Sequence, residues 1–365
     1  MVKYEPSHLK SMNTKRIFQE FRNSTEQLFA NEIAKTTNIS VPTVTKIIDF
    51  LIQKELIEEQ EFTSTKVGRK PNMLKLKTDK FFSIGVTYEG DYLIIGIVDL
   101  AGNILNFIQV RCGSHFEKSL FANIDKILEM SKRDVKDLIG IGIGIPCIFD
   151  AETREITAPL IGIEEPRYFG DIIDRIAEKY NAKVVVDNDL NIQAFGEYSS
   201  KPLEKEDLIF ISLGTGLGAG VVINGEARRG SQNICGEIGY MMFEYSEEKT
   251  KSGWLEEKIN LHAIEEKFGI SETNFNEENL EKAIEYVSRY LALIINNLIF
   301  CYDVPDIVLD GYVIDLLGDG VIKETQKKLD KICYKPIRIK KRNVVFPGVA
   351  GGALLASNLW LDEIF

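Results

Sequence analysis

The stretch Val184 Val185 Val186 Asp187 Asn188 Asp189 Leu190 Asn191 joins a short apolar run to a cluster of carboxylates and carboxamides. Strand ends in α/β sheets are where ligand sites form, and a polyol there needs a fixed fan of donors and acceptors. Asn188 and Asp189 would supply both, and Asp189 could also act as general base toward a hydroxyl. The same residues would serve as a helix N-cap, since Asp and Asn accept from the first free amides of a helix. Two more carboxylates stand in glycine-rich frames: Glu237 in Cys235 Gly236 Glu237 Ile238 Gly239 Tyr240, and Glu256 in Gly253 Trp254 Leu255 Glu256. Between them and the strand end runs Leu213 Gly214 Thr215 Gly216 Leu217 Gly218 Ala219 Gly220. Such a turn exposes backbone amides that cradle phosphate, although glycines also serve plain hairpins.

A second group of residues suits a polyanion of another kind. Over residues 41–54, Val41, Val44, Ile47, Ile48, Leu51 and Ile52 recur at steps of three and four, which predicts a helix with one buried face. Ser40 stands where an N-cap belongs, and Pro42 fits the first turn. The outward positions are Thr43, Thr45, Lys46, Asp49 and Gln53, the short polar and basic groups that a major-groove helix presents. Helical patterns at residues 15–21 and 28–36 precede it, and Thr37 Asn38 Ile39 has the length of a helix-turn-helix turn. Leu56 Ile57 and the stretch 73–76 read as strands flanking a basic loop, with Gly68 at its tip and Pro71 at its exit. Arg69 and Lys70 in that wing are placed to lie along or enter a minor groove. A protein-binding helical hairpin would share the helix pattern; the basic wing favours DNA.

The elements that must position the carboxylates begin at Phe81. Apolar strands at 83–87, 92–99 and 104–110, with a turn at Ala101 Gly102 Asn103, open the series. A helix at 116–131 leads to a strand at 138–145, and a helix at 170–180 to a strand at 183–186, an α/β plan. A second strand pair, 208–213 and 218–223 with a turn at Asn224 Gly225, echoes the first and predicts two lobes of related build. Leu280, Ala283, Ile284, Val287, Leu291, Ile294, Ile295 and Leu298 trace one apolar stripe of a long core helix. A strand at 306–309 and a helix after Gly348 complete the body.

Net charge is −11, yet it is unevenly spread: residues 1–78 hold 13 Lys and Arg against 9 Asp and Glu, a net of +4, which leaves −15 for the rest. A basic head on an acidic body fits a head that meets nucleic acid. No run approaches the roughly 18 uninterrupted apolar residues of a membrane span, and the first residues lack an apolar signal core, so a cytoplasmic protein is expected. Cys112, Cys147, Cys235, Cys301 and Cys333 lie far apart, and none of His8, His115 and His262 has a partner at ligand spacing. A metal site is not expected.

Taken in order, these pieces resemble the ROK family of repressors and sugar kinases over essentially the whole chain. The motifs that carry the resemblance are Asn188 Asp189 Leu190 Asn191, the turn 213–220 and Gly236 Glu237 Ile238 Gly239. It implies a two-lobed actin-like (ribonuclease H-like) sugar-kinase fold behind a winged helix-turn-helix. The boundaries it implies are 1–78 for the DNA-binding domain, 79–190 with the C-terminal helix 349–365 for the first lobe, and 191–348 for the second. Asp189 matches the residue that contacts sugar and serves as kinase base; residues matching Asn188, Glu237 and Glu256 hold sugar hydroxyls.

Three departures separate this chain from the family's kinases. Their first hairpin carries an aspartate and then Gly-Gly-Thr to manage phosphate and magnesium; here the stretch reads Thr87 Tyr88 Glu89 Gly90 Asp91, where Glu89 would repel a triphosphate. Tyr240 replaces the zinc histidine that also touches sugar, and residues 244–254 replace the zinc cysteines. The adenosine-side glycine pair is Asp310 Gly311. The resemblance therefore points to the repressor branch of xylose- and N-acetylglucosamine-responsive regulators, without zinc, ATP or magnesium. The expected partners are an operator duplex, a monosaccharide effector and a second copy of the chain in a dimer or dimer of dimers. An ATP-dependent sugar kinase with Asp189 as base is the alternative.

Overall fold

The computed structural model describes residues 6–24, 26–60, 73–90, 92–111, 116–158, 163–200, 207–247, 250, 252–271, 273–274 and 276–365. It opens with α1 (Pro6–Asn23), α2 (Ala30–Thr37) and α3 (Val41–Gln53), then an antiparallel pair β1 (Ile57–Gln60) and β2 (Met73–Leu76). α1 runs far beyond the expected residues 15–21; its early turns escape the pattern because Leu9 and Met12 there are exposed and set no apolar period. Leu28 is not helical; it exchanges backbone hydrogen bonds with Leu74 and widens the hairpin. α3 follows the expected pattern except at Val41, which is 44% exposed because the first turn overhangs the core of Ile33, Val44 and Ile48.

The first large sheet is built from β3 (Phe82–Glu89), β4 (Tyr92–Asp99), β5 (Ile104–Arg111), β6 (Leu138–Ile145) and, after an intervening meander, β10 (Lys183–Asn188). Its order is β10-β6-β3-β4-β5, with β3, β6 and β10 parallel and the two hairpin partners antiparallel. All eight residues of β6 are buried, as a strand covered on both faces requires. α4 (Phe116–Ser131) and α5 (Gly170–Tyr180) supply one cover through Leu120, Ile124, Ile172 and Ile176. The meander β7 (Ile148–Asp150), β8 (Glu155–Ala158) and β9 (Ile163–Tyr168) escapes sequence reading, since β9 is exposed at five of its six positions and has no alternation.

α6 (Asp189–Ser199) then crosses to a second sheet of β11 (Leu208–Leu213), β12 (Leu217–Ile223), β13 (Glu226–Ala227), β14 (Asp306–Asp310) and β15 (Arg338–Lys341). Its order, β13-β12-β11-β14-β15, repeats the plan of the first: a three-stranded antiparallel run joined to two parallel strands. α7 (Glu256–Ile259), α8 (Leu261–Phe268), α9 (Glu277–Tyr302) and α10 (Tyr312–Ile332) belong to this half, and the apolar stripe of α9 packs into its core.

The last helix, α11 (Pro347–Ile364), returns to lie between α6 and the first sheet. The contact is backbone on backbone: a Cβ on Gly142 would fall 1.9 Å from the Gly352 carbonyl oxygen, so β6 and α11 meet only because both residues are glycine. On α6 the buried Glu197 carboxylate accepts from the amides of Asn343 and Val344, tying the chain just ahead of α11 to the helix that starts at Asp189. The far end of α11 meets α1. Ile17, Phe18 and Phe21 share one apolar cluster with Leu100, Ile139 and Leu361, and the Phe18 and Phe365 rings meet edge to face at 5.4 Å.

Candidate functional site

β10 stops at Asn188 and α6 starts at Asp189, so the chain turns from strand to helix within the carboxylate cluster. Asn188 is the cap: its Oδ1 accepts from the amides of Leu190 (2.9 Å) and Asn191 (3.2 Å), and its Nδ2 donates to the Cys147 carbonyl at 2.9 Å. That leaves one N–H of the carboxamide for a ligand. Asp187 lies deeper, 3% exposed, and accepts from the Asn188 amide (2.8 Å), from Asn191 Nδ2 (3.2 Å) and from Arg229. Asp189 points its chemistry elsewhere. Burial raises its carboxyl to about 7, and Glu237 and Glu89 add to the rise against the amide hydrogen bonds that lower it. Next to this group, burial and then Asp189, Asp187 and Glu237 push the Cys147 thiol far up, so it stays neutral.

The opposite wall comes from the second sheet. Glu237 follows Gly236 and precedes a 3-10 turn, Ile238–Tyr240; desolvation raises its carboxyl, and Glu256 raises it further. Burial likewise raises Glu256, at the start of α7. Its Oε2 accepts from the Leu217 amide at 2.8 Å and would lie 3.2 Å from a Cβ on Gly216. The Gly214 amide is spent within the turn, donating to the Gly216 carbonyl at 2.9 Å. Gly218 is pressed against Leu190, where a Cβ would lie 2.4 Å from a methyl. In the turn of Gly214, Thr215, Gly216 and Gly218 the Leu217 amide is thus already taken by a carboxyl oxygen of the chain itself. Tyr240 ends the 3-10 turn and is 59% exposed.

Toward the N-terminus of α11 the cleft is acidic as well. Burial raises Glu89 to about 7; Asp310 and Asp315 raise it and Arg342 opposes them. Burial also raises Asp310, against an ion pair with Arg342 Nη1 at 3.2 Å. Thr87 Oγ1 and Glu89 Oε1 are buried without a hydrogen-bond partner among the described residues, and Asp310 Oδ1 has only the ion pair with Arg342. Arg229 and Arg342, two cations that meet these carboxylates, escape sequence reading: Arg229 is 42 residues from its partner and Arg342 is 32 from its own, and no motif marks either.

On the head, Thr45 and Lys46 are exposed and Thr43 partly so, all on one side of α3. Ser40 stands at the N-cap position of α3, but its side chain accepts from no helix amide; its hydroxyl pairs instead with that of Thr43 at 2.8 Å, and only its carbonyl accepts from the Thr43 and Val44 amides. Thr45 donates to the Val41 carbonyl at 3.0 Å and keeps its acceptor side free. Arg69 and Lys70 lie outside the described residues.

A xylose repressor of Caldicellulosiruptor bescii is 24% identical over 335 residues, spanning 82% of this chain and 83% of its own. Among solved structures, a ROK family transcriptional regulator, a homolog of the Escherichia coli MLC protein, shares the fold with a TM-score of 0.77 at 18% identity, over 98% of both chains. A ROK family glucokinase of Streptomyces griseus, solved with glucose and AMPPNP, matches 76% of this chain and 99% of its own with a TM-score of 0.62 at 22% identity. The ROK family profile covers residues 83–359, from the first sheet through α11, and the chain belongs to the ROK family.

Proposed function

We propose that the protein is a sugar-responsive transcriptional repressor: α1–α3 and the β1–β2 hairpin form a winged helix-turn-helix that grips operator DNA, and a monosaccharide binds in the cleft. Asp189, Glu237 and the free amide hydrogen of Asn188 are the hydroxyl contacts, with Glu256 and Tyr240 at the rim. The body comprises a first lobe, 79–190 with 349–365, and a second, 191–348. A sugar that prefers one arrangement of the lobes shifts operator affinity by its differential binding, and DNA opposes sugar to the same extent. Two-fold operators call for a dimer, and such a regulator works in the cytoplasm with its DNA.

The observation that carries this reading over phosphoryl transfer is the acidity of the cleft's phosphate side. Glu89, Asp310 and Glu256 stand where a triphosphate would need cations and free amides, and the Leu217 amide is taken. These residues do not fit ATP with magnesium. Zinc is not needed to hold the loop before α7, since Trp254 meets Phe243 edge to face and lies under Lys258. Asp189 alone favours the second reading, a sugar kinase.

The test is a panel of pentoses and hexoses, including D-xylose and N-acetylglucosamine, scored by thermal shift and by release from the chain's own upstream DNA. Binding by at least one sugar, with altered DNA affinity, is expected. Turnover of a sugar with ATP and magnesium at the roughly 1 to 100 per second of kinases would reverse the reading.

A further inference from the structure

Arg229 belongs to none of the motifs, and the function proposed above makes no use of it. It follows β13, an edge strand of the second sheet, and reaches the end of β10, an edge strand of the first. Its Nε and Nη2 both donate to Asp187 Oδ2, at 2.9 and 2.6 Å. A buried carboxylate persists only when a cation and further donors answer it, and the other oxygen of Asp187 takes the Asn188 amide and Asn191 Nδ2. Asn188 and Asn191 bracket Asp189 in the chain, so the guanidinium and the strand-to-helix corner form one network.

The loop from Arg229 to Glu237 is closed on itself. The Cys235 amide donates to the Arg229 carbonyl at 3.1 Å, and the Gly236 carbonyl accepts from Ala219 at 2.8 Å and from Ile238 at 2.7 Å. Gly236 has φ +97°, and a Cβ there would lie 1.9 Å from the Ala219 oxygen, so the closure depends on glycine. Glu237 comes directly after it. Wherever Arg229 is anchored, Glu237 is carried with it.

We infer that the Arg229–Asp187 pair sets the separation of Asp189 and Glu237 across the cleft, which makes Arg229 a positioning residue for the bound polyol. Neutralising Asp187 alone would be a lesser role, and the two differ in what Arg229→Lys and Asp187→Asn do. A lysine keeps the charge but loses the two-point grip. The amide of Asp187→Asn removes the need for charge and the tie together.

The inference rests on the sugar-binding reading for its ligand, so the experiment has an arm that needs none. In the full chain, hydrogen exchange is followed at residues 189–191 and 236–240, and affinity is measured for D-xylose, D-glucose and N-acetylglucosamine. Arg229→Gln and Asp187→Asn are each expected to speed exchange at both segments together and to weaken the sugar that binds by about tenfold, the double variant being no worse than either single one. Arg229→Lys should recover less than half of the loss. Exchange that rises only at 226–235, effects that multiply in the double variant, or full rescue by lysine would overturn the positioning role. If the native chain binds none of the three sugars, the sugar reading loses its support while the exchange arm still decides the role of Arg229.

Discussion

The seam between head and body and the cleft between the two sheets bury polar groups in opposite ways. At the seam, every arm of the Arg22 guanidinium is answered: Nε by the Leu100 carbonyl at 2.8 Å, Nη1 by Asn358 Oδ1 at 2.7 Å and Nη2 by Ser357 Oγ at 3.3 Å. Burial lowers its pKa to about 10, against Asp99, so it stays charged at neutral pH. The guanidinium lies over the Phe18 ring at 5.2 Å, Phe18 meets Phe365 edge to face, Phe81 and Trp360 pair with centroids 5.0 Å apart, and Lys15 pairs with Asp362 at 2.7 Å. In the cleft, carboxyls crowd with raised pKa values, and Thr87 Oγ1 and Glu89 Oε1 find no hydrogen-bond partner among the described residues. Full satisfaction makes a joint that resists motion; unanswered groups mark a surface that a ligand or a shift of the walls completes. The head therefore packs as one joint with the first sheet, and under the function proposed above a signal from the cleft would reach it as movement of one sheet against the other.

The largest expected effect breaks the seam. Phe18→Ala should cost about 3 to 5 kcal/mol in denaturant unfolding, and the head should then melt ahead of the body in calorimetry. A loss below about 1 kcal/mol would mean that head and body do not share this core. Arg22→Met comes next, at about 2 to 3 kcal/mol, because Leu100, Asn358 and Ser357 lose their donor; equal stability in denaturant titration would refute the account of the seam as a satisfied network.

The cleft should respond with the opposite sign. The Glu89 carboxyl has its folded pKa above its unfolded value, so its stabilising contribution is present at low pH and fades as pH rises toward about 7. Glu89→Gln should therefore raise stability by roughly 1 kcal/mol at about pH 8, with the advantage vanishing near pH 4. A variant that destabilises at both pH values would show that Glu89 is anchored and not strained. The smallest effect is at the outer face of α3. Lys46→Ala should leave stability within about 0.5 kcal/mol while lowering the slope of log affinity for DNA against log salt by about one. An unchanged slope would remove Lys46 from the phosphate contacts.

Periodicity and turn chemistry are local, and what they encode was legible: α3 within a residue of its end, β6 and β11 at their bounds, and the cap, turn and glycine frames around Asp189, Glu237 and Glu256. That Asn188 would spend its carboxamide as a cap was one of two readings the residues left open, and only the fold shows that it does so, with Asp189 next to it also held by backbone amides. The occupation of the glycine turn by Glu256, the tie from Arg229 to Asp187 and the seam at Arg22 belong to tertiary structure alone. Their partners lie 39, 42 and up to 336 residues apart, and no repeat along the chain records a contact that exists only once the two sheets and α11 have come together.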